Sequence, residues 1–347
     1  MHLTTAWFTV IAFLWTGYFV LEGFDFGVGV LAPLLGRDEP QRGALLHTIG
    51  PVWDGNEVWV ITAVGATFAA FPDWYASLTS GFYLPLVLII LALIVRGVAL
   101  EYRGKRPEPV WRKRADIAIA AGSLLPALGW GAVIASMVHG VPMDAAHTVT
   151  GGAAWILRPT ALLGAATFLA LFATHGALFL ALKTTGALRT RARTVALRVG
   201  PLTVALLAAF LAWMVHPHRT GVTVALAVAA LACLAGGIAA TVRGRDGWAF
   251  TGTAATVALT LAALFATLYP DVLPSTPNPA NSLTVAGAAS SPYTLTIMSW
   301  AAAVFAPLVL VYQGWTYWVF RRRITLPATA SPAAPASPAG AAAGRRG

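Results

Sequence analysis

The stretch from Ile49 to Val60, I-G-P-V-W-D-G-N-E-V-W-V, decides how the rest of the chain is read. It opens an apolar segment that runs on to Phe71, yet it places two carboxylates, Asp54 and Glu57, inside that segment. On a helix they are three residues apart and share a face, with the Trp53 indole beside them. An ionisable group at membrane depth costs on the order of 3 kcal/mol or more, so it faces a protein interior or a water path and marks function.

Around this block the chain is built for a bilayer. Hydrophobic residues are 58% of the 347 and charged residues 10%, with a positive mean hydropathy, which excludes a soluble domain. Nine apolar runs of helical crossing length follow one another, at residues 6–35, 51–71, 78–100, 116–138, 160–182, 199–215, 221–241, 247–269 and 294–320. An all-α integral membrane protein of nine transmembrane helices is therefore expected. The first run is expected to be retained rather than cleaved as a signal, because no Lys or Arg precedes it and it carries Glu22 and Asp25. Cys233 is the single cysteine, so neither a disulfide framework nor a cysteine-based metal site is available.

The net charge of +10 could suit nucleic acid, but the basic residues lie in short clusters between the apolar runs and read as orientation signals instead. Twenty of the 23 Lys and Arg follow odd-numbered runs: Arg37 and Arg42, the cluster Arg103 to Arg114, the cluster Lys183 to Arg198, Arg243 and Arg245, and five beyond residue 320. Arg158 and Arg219 fall on or beside even-numbered connections, and Arg96 lies within the third run. The bias predicts an N-terminus outside and a C-terminus in the cytoplasm.

With that orientation, rise along a helix gives depths. Asp54 is expected about 5 Å inside the cytoplasmic end of its helix, Glu57 about 9 Å, and Arg96 about 6 Å from the end of the third. Asp25, within G-F-D-F-G-V-G from Gly23 to Gly29, falls about 15 Å from the cytoplasmic end of the first helix, and Glu22 about 20 Å. The three glycines of that motif read as a helix-packing face, which accounts for glycine but not for a carboxylate. Two readings stand: a path of titratable groups that takes up protons from the cytoplasm, or an Asp/Glu to Arg pair that closes a bundle.

Other features read more plainly. His175, alone in the fifth run, is expected to hydrogen-bond a neighbouring helix rather than ligate a haem, and His139 and His147 to be surface histidines. His216 and His218 lack the further ligands a metal site would need. The segment from Asp271 to Pro292, rich in Pro, Asn and Ser, is expected to form an ordered lid or partner-binding loop outside. Residues 1–323 are expected to form one polytopic membrane domain, and 324–347 a disordered Pro/Ala tail in the cytoplasm.

Taken together, G-F-D-F-G-V-G, I-G-P-V-W-D-G-N-E-V-W-V, R-G-V-A-L-E-Y-R, H-G-A-L-F-L-A-L-K-T-T-G-A-L and S-L-T-V-A-G-A-A-S-S-P-Y-T-L-T-I-M resemble subunit II of the cytochrome bd quinol oxidases, over nearly the whole chain up to the tail. The resemblance implies two four-helix bundles plus one peripheral helix, in a bacterial inner membrane. It implies no cofactor bound by this chain, with haems b and d in the partner, subunit I, and quinol as the substrate of the complex. It leaves room for a structural quinone and a small single-helix subunit, besides lipid. The positions that match are Asp54 as proton acceptor with Trp53 packed at the path, Asp25 as an inner relay and Arg96 as an electrostatic tuner; Glu57 is read as an auxiliary.

The function expected is that of the accessory, non-haem subunit of a gradient-forming quinol:dioxygen oxidoreductase. A proton-coupled secondary transporter is the rival from another class, though such proteins usually repeat their interrupted segments in both halves, and no second Gly/Asp-interrupted run appears here. A purely structural assembly subunit is the third possibility, distinguished by tolerance of neutral replacements at Asp54 and Asp25.

Overall fold

The computed structural model describes residues 3–150, 152–216 and 219–325, and it is helical almost throughout. Of the expected Pro/Ala tail 324–347, residues 326–347 lie outside the described residues, as does His218. Among the described residues, eight helices are long and apolar enough to cross a membrane. The remaining run, the second at residues 51–71, is helical too, but its 18 residues, Trp53–Ala70, carry Asp54 and Glu57 and fall short of that measure.

The first helix, α1 (Leu3–Leu35), is the hub. Every residue from Glu22 to Gly29 is buried, so over two turns this helix has no lipid-facing side. It packs against α3 (Trp53–Ala70), α6 (Pro109–His139), α7 (Pro159–Lys183) and α10 (Asp246–Leu268). Glycine makes the closest of these crossings possible. A Cβ on Gly27 would stand 2.0 Å from the Phe172 carbonyl oxygen and 2.8 Å from the Gly176 Cα, so α1 and α7 meet backbone to backbone. The packing-face reading of the glycine motif therefore holds.

A short helix α2 (Glu39–His47) follows α1, capped by Asp38, whose Oδ1 accepts from the Gln41 amide at 2.9 Å. Between α3 and α5 (Tyr83–Tyr102) lies α4 (Pro72–Gly81), started by Pro72 at its first position. α6 pairs with both α5 and α7, and α7 with α8 (Gly186–Val215); α9 (Gly221–Val242) packs along α10 and beside α8. The last helix, α11 (Pro292–Val319), touches α1 and α3 but buries only Leu295.

Two helices begin well before their apolar runs: α6 at Pro109 rather than 116, and α8 at Gly186 rather than 199. Hydropathy stops where charge begins, but a helix needs no bilayer to continue. The basic residues Arg189, Arg191, Arg193 and Arg198 thus ride on helical turns instead of a loop. Arg191 then reaches the Leu35 carbonyl and, at 2.6 Å, Gln41 Oε1, fastening α8 to the ends of α1 and α2.

At the opposite end of the helices the Asp271–Pro292 segment is ordered. Strands β1 (Asp271–Leu273) and β2 (Leu283–Thr284) pair antiparallel, and Val141 bridges to Ser275. His139 is exposed, as expected. His147 is not simply a surface residue: half-buried, its Nδ1 pairs with the Asn281 carbonyl at 3.0 Å while its own carbonyl accepts from Ser77 Oγ at 2.8 Å. It pins the lid to the neighbouring loop. Beneath, aromatic side chains fill the space between helices, Trp15, Tyr18, Phe19 and Trp130 in edge-to-face contact at 5.2–6.1 Å.

Candidate functional site

Arg96 is wholly buried, the largest charged side chain among the described residues with no exposed surface. α5 brings it in, and α6 yields the space: a Cβ on Gly122 would stand 2.7 Å from the Arg96 Cβ. One step on, Gly97 receives the Trp53 ring, 3.3 Å from where a Cβ would be, so the indole packs α3 onto α5. The guanidinium carbon lies 5.0 Å over the Phe26 ring.

Nη1 of Arg96 donates to two carboxylates. One is Glu22 Oε1 on α1; the other is Glu57 Oε1 on α3, at 3.0 Å. Asp25, one turn along α1 from Glu22, is wholly buried and accepts at Oδ2 from Asn56 Nδ2 at 2.7 Å. Glu22 Oε2, Asp25 Oδ1, and Arg96 Nε and Nη2 are buried with no protein partner. Two carboxyl groups thus share one guanidinium, and a third, Asp25, is buried one turn away on Asn56. In a low-dielectric interior one cation balances one anion, so the cluster has capacity to hold protons, and that capacity belongs to the group rather than to any single member.

The expected one-face pair separates in the structure. Asp54 is exposed, on a stripe of α3 that continues through Val58, Ile61 and Phe68. Glu57 lies at the border: its side chain is 21% exposed and leans inward onto Arg96. Three helical positions put side chains about 60° apart, enough to straddle the edge of a buried face. Glu57 therefore connects the interior cluster with the surface that bears Asp54, and the two carboxylates are near enough to feel each other's charge.

The depths expected from Cα levels kept Glu22 far from Arg96. In the structure they are ion-paired, because α5 ends at Tyr102 and the long arginine stem spans the remaining height. The spaced ladder is a compact cluster instead.

Three residues unforeseen in the sequence belong here: Asn56, Gln313 and Tyr317. Asn56 is buried and faces Asp25 with its amide; its oxygen accepts from Gln313 Nε2 at 3.0 Å and from the Tyr317 hydroxyl at 2.8 Å, both on α11. A signal was present for Asn56. Positions 56, 59, 63, 67 and 70 of α3 form the buried stripe at helical spacing; of its two polar members Thr67 bonds its own helix at the Ala63 carbonyl, which leaves Asn56 to reach a neighbour.

His175 is an interhelical fastening, as expected. Its Nδ1 pairs with Thr253 Oγ1 at 2.7 Å on α10 and its Nε2 with the Val20 carbonyl at 3.1 Å on α1, leaving neither nitrogen for a metal. Among the described residues no group of three or more His, Cys, Asp and Glu could hold a metal ion. An apolar cavity of about 30 Å³ is lined by Trp15, Trp74, Trp130 and Phe265 among others.

The comparisons with known proteins agree with one another. A family profile, cytochrome bd terminal oxidase subunit II, matches residues 3–320. The chain is 40% identical to a cytochrome bd ubiquinol oxidase subunit 2 of Bacillus subtilis, covering 92% of this chain and 96% of that protein. It is 31% identical to the cytochrome bd-I ubiquinol oxidase subunit 2 of Escherichia coli K12, covering 92% and 94%. Its fold matches a chain of the bd oxidase of Geobacillus thermodenitrificans with a TM-score of 0.74 at 18% identity, over 92% of this chain and 99% of that one.

Proposed function

Because the chain belongs to the cytochrome bd terminal oxidase subunit II family, we propose that it is the accessory, non-haem subunit of a quinol:dioxygen oxidoreductase and that it helps take up protons from the cytoplasm. Family and helices together make it a multi-pass protein of a bacterial plasma membrane, and they set the transporter reading aside. The observation that carries the proton role is the buried cluster of Glu22, Asp25 and Glu57 around Arg96.

A haem-bearing subunit I is the partner, and its haems supply the oxygen chemistry. The side chains of this chain hold and pass protons only. Asp54 receives a proton at the cytoplasmic mouth, Glu57 carries it past Arg96, and Asp25 is the inner station; Trp53 keeps α3 seated on α5 beside that route. Arg96 favours charged carboxylates next to it, which keeps acceptors available. The exposed setting of Asp54 supports this reading as well: a carboxylate among Val58, Ile61 and Phe68 on a membrane helix is expensive against lipid and calls for a covering partner.

The arrangement supports nine crossings with the N-terminus outside and the C-terminus in the cytoplasm. α1, α3, α5 and α6 pack as one group and α7 to α10 as another, consistent with two four-helix bundles and α11 as the peripheral helix. The basic ends of α6 and α8 lie on the side assigned to the cytoplasm.

The complex isolated from native membranes through a tag on this chain is expected to show chlorin and b-type haem bands in a reduced-minus-oxidised spectrum, with quinol-driven oxygen uptake. In that complex Asp54→Asn should leave assembly intact and slow uptake roughly tenfold or more, the range of general acid–base contributions. Full turnover in an assembled Asp54→Asn complex would remove Asp54 from the path and favour an assembly role alone.

A further inference from the structure

Among the described residues Asn56 is the one group that hydrogen-bonds the Asp25 carboxyl, and its amide could present either end to it. Turned one way, the NH2 donates to Oδ2, as observed at 2.7 Å. Turned the other way, its carbonyl oxygen would face a carboxyl oxygen and repel it. What fixes the first orientation comes from a distant part of the chain. The Asn56 oxygen is occupied by two donors from α11, the Tyr317 hydroxyl at 2.8 Å and the Gln313 amide at 3.0 Å.

Packing does not account for those two donors. α11 buries only Leu295, and its outward face is apolar, with Trp300, Phe305, Leu308, Val311 and Trp315 exposed. A glutamine and a tyrosine turned inward from such a helix, converging on one oxygen, are a built contact.

We propose that Asn56, Gln313 and Tyr317 are positioning residues for Asp25, with α11 acting as the arm that holds the Asn56 amide so that it donates to the carboxyl and leaves Oδ1 to exchange protons. The inference rests on the proton-uptake reading above. Because two donors share one acceptor, either alone can keep the amide turned, and the effects of removing them are not additive.

The test uses the assembled oxidase with its partner, and compares Tyr317→Phe, Gln313→Leu, the double variant, Asn56→Leu and Asp25→Asn. Oxygen uptake is measured per haem, and infrared difference spectra follow the carboxyl stretch that Asp25→Asn abolishes. Each single α11 variant should keep uptake within about twofold, whereas the double variant and Asn56→Leu should lose roughly tenfold, the worth of a hydrogen bond to a charged group. The Asp25 band should shift in the double variant and in Asn56→Leu, which a merely structural role for α11 would not produce. Should Asn56→Leu fail to assemble, the double variant carries the test, since Gln313 and Tyr317 are only half-buried. An unmoved band and full uptake in the double variant, with Asp25→Asn slow, overturns the positioning role and leaves the proton path standing. Full uptake in Asp25→Asn overturns the proton path itself, and the positioning role then stands or falls with the band.

Discussion

Around Arg96 two carboxyl groups share one guanidinium with a third, Asp25, buried nearby; around Asp246 three guanidinium groups share one carboxylate. Asp246, at the start of α10, pairs with Arg189 at 2.7 Å, Arg323 at 3.0 Å and Arg193 at 4.0 Å. Its side chain is 2% exposed, but those arginines are 25–40% exposed and can share their excess charge with water and counter-ions. Asp116 is built likewise, pairing with Arg103 at 2.6 Å and Arg42 at 3.1 Å. The cluster around Arg96 has no such outlet except through Glu57. An excess of cations at helix ends fastens the helices, whereas the excess of acids between helices leaves Glu22 Oε2 and Asp25 Oδ1 buried without a protein partner among the described residues.

The sharpest way to break this comparison is to remove the single cation. Arg96→Leu should cost about 3–5 kcal/mol by leaving buried carboxylates unpaired, read as loss of assembled complex and a lower melting temperature. Adding Glu22→Gln should restore part of that yield, because the pair is coupled. Next in size, Asp246→Asn should cost about 1–3 kcal/mol through weakened charge-assisted bonds, read in thermal unfolding, with uptake per complex unchanged. Glu57→Gln should do the reverse: roughly tenfold slower oxygen uptake and a melting temperature close to that of the parent. The smallest effect is expected at Arg323→Ala, under about 1 kcal/mol and shrinking further in high salt, because that side chain is 40% exposed. Equal losses of uptake in the Asp246 and Glu57 variants would erase the distinction between fastening and proton-carrying groups.

Much of this was legible from residues alone. Long apolar runs reported the helices, and Asp25, Glu57 and Arg96 announced themselves as charges where lipid would reject them. Hydropathy could not reveal that α8 starts at Gly186, because a helix continues past the membrane on backbone hydrogen bonds that carry no hydropathic signature. The Glu22–Arg96 pair was hidden by the reach of a side chain, a length absent from Cα levels. Most opaque was the pairing of Asn56 with Gln313 and Tyr317, more than 250 positions apart in the chain. Local patterns mark a polar residue as inward-facing, but only tertiary packing names its partner.

The sparse seating of α11 has a consequence for how the protein is made. During synthesis the helices bearing Asp25 and Asn56 reach the membrane long before residues 313 and 317 leave the ribosome. Until then the Asn56 amide is free to turn, and Asp25 has no fixed donor. Lys183, which donates to the carbonyls of Phe320 and Arg322, and the backbone bond from Ile324 to Lys183 at 2.7 Å latch the far end of α11 once it arrives. The order of translation thereby makes the Asn56 bond to Asp25 one of the last to be braced, after the helix that carries Asp25 is already in the bilayer.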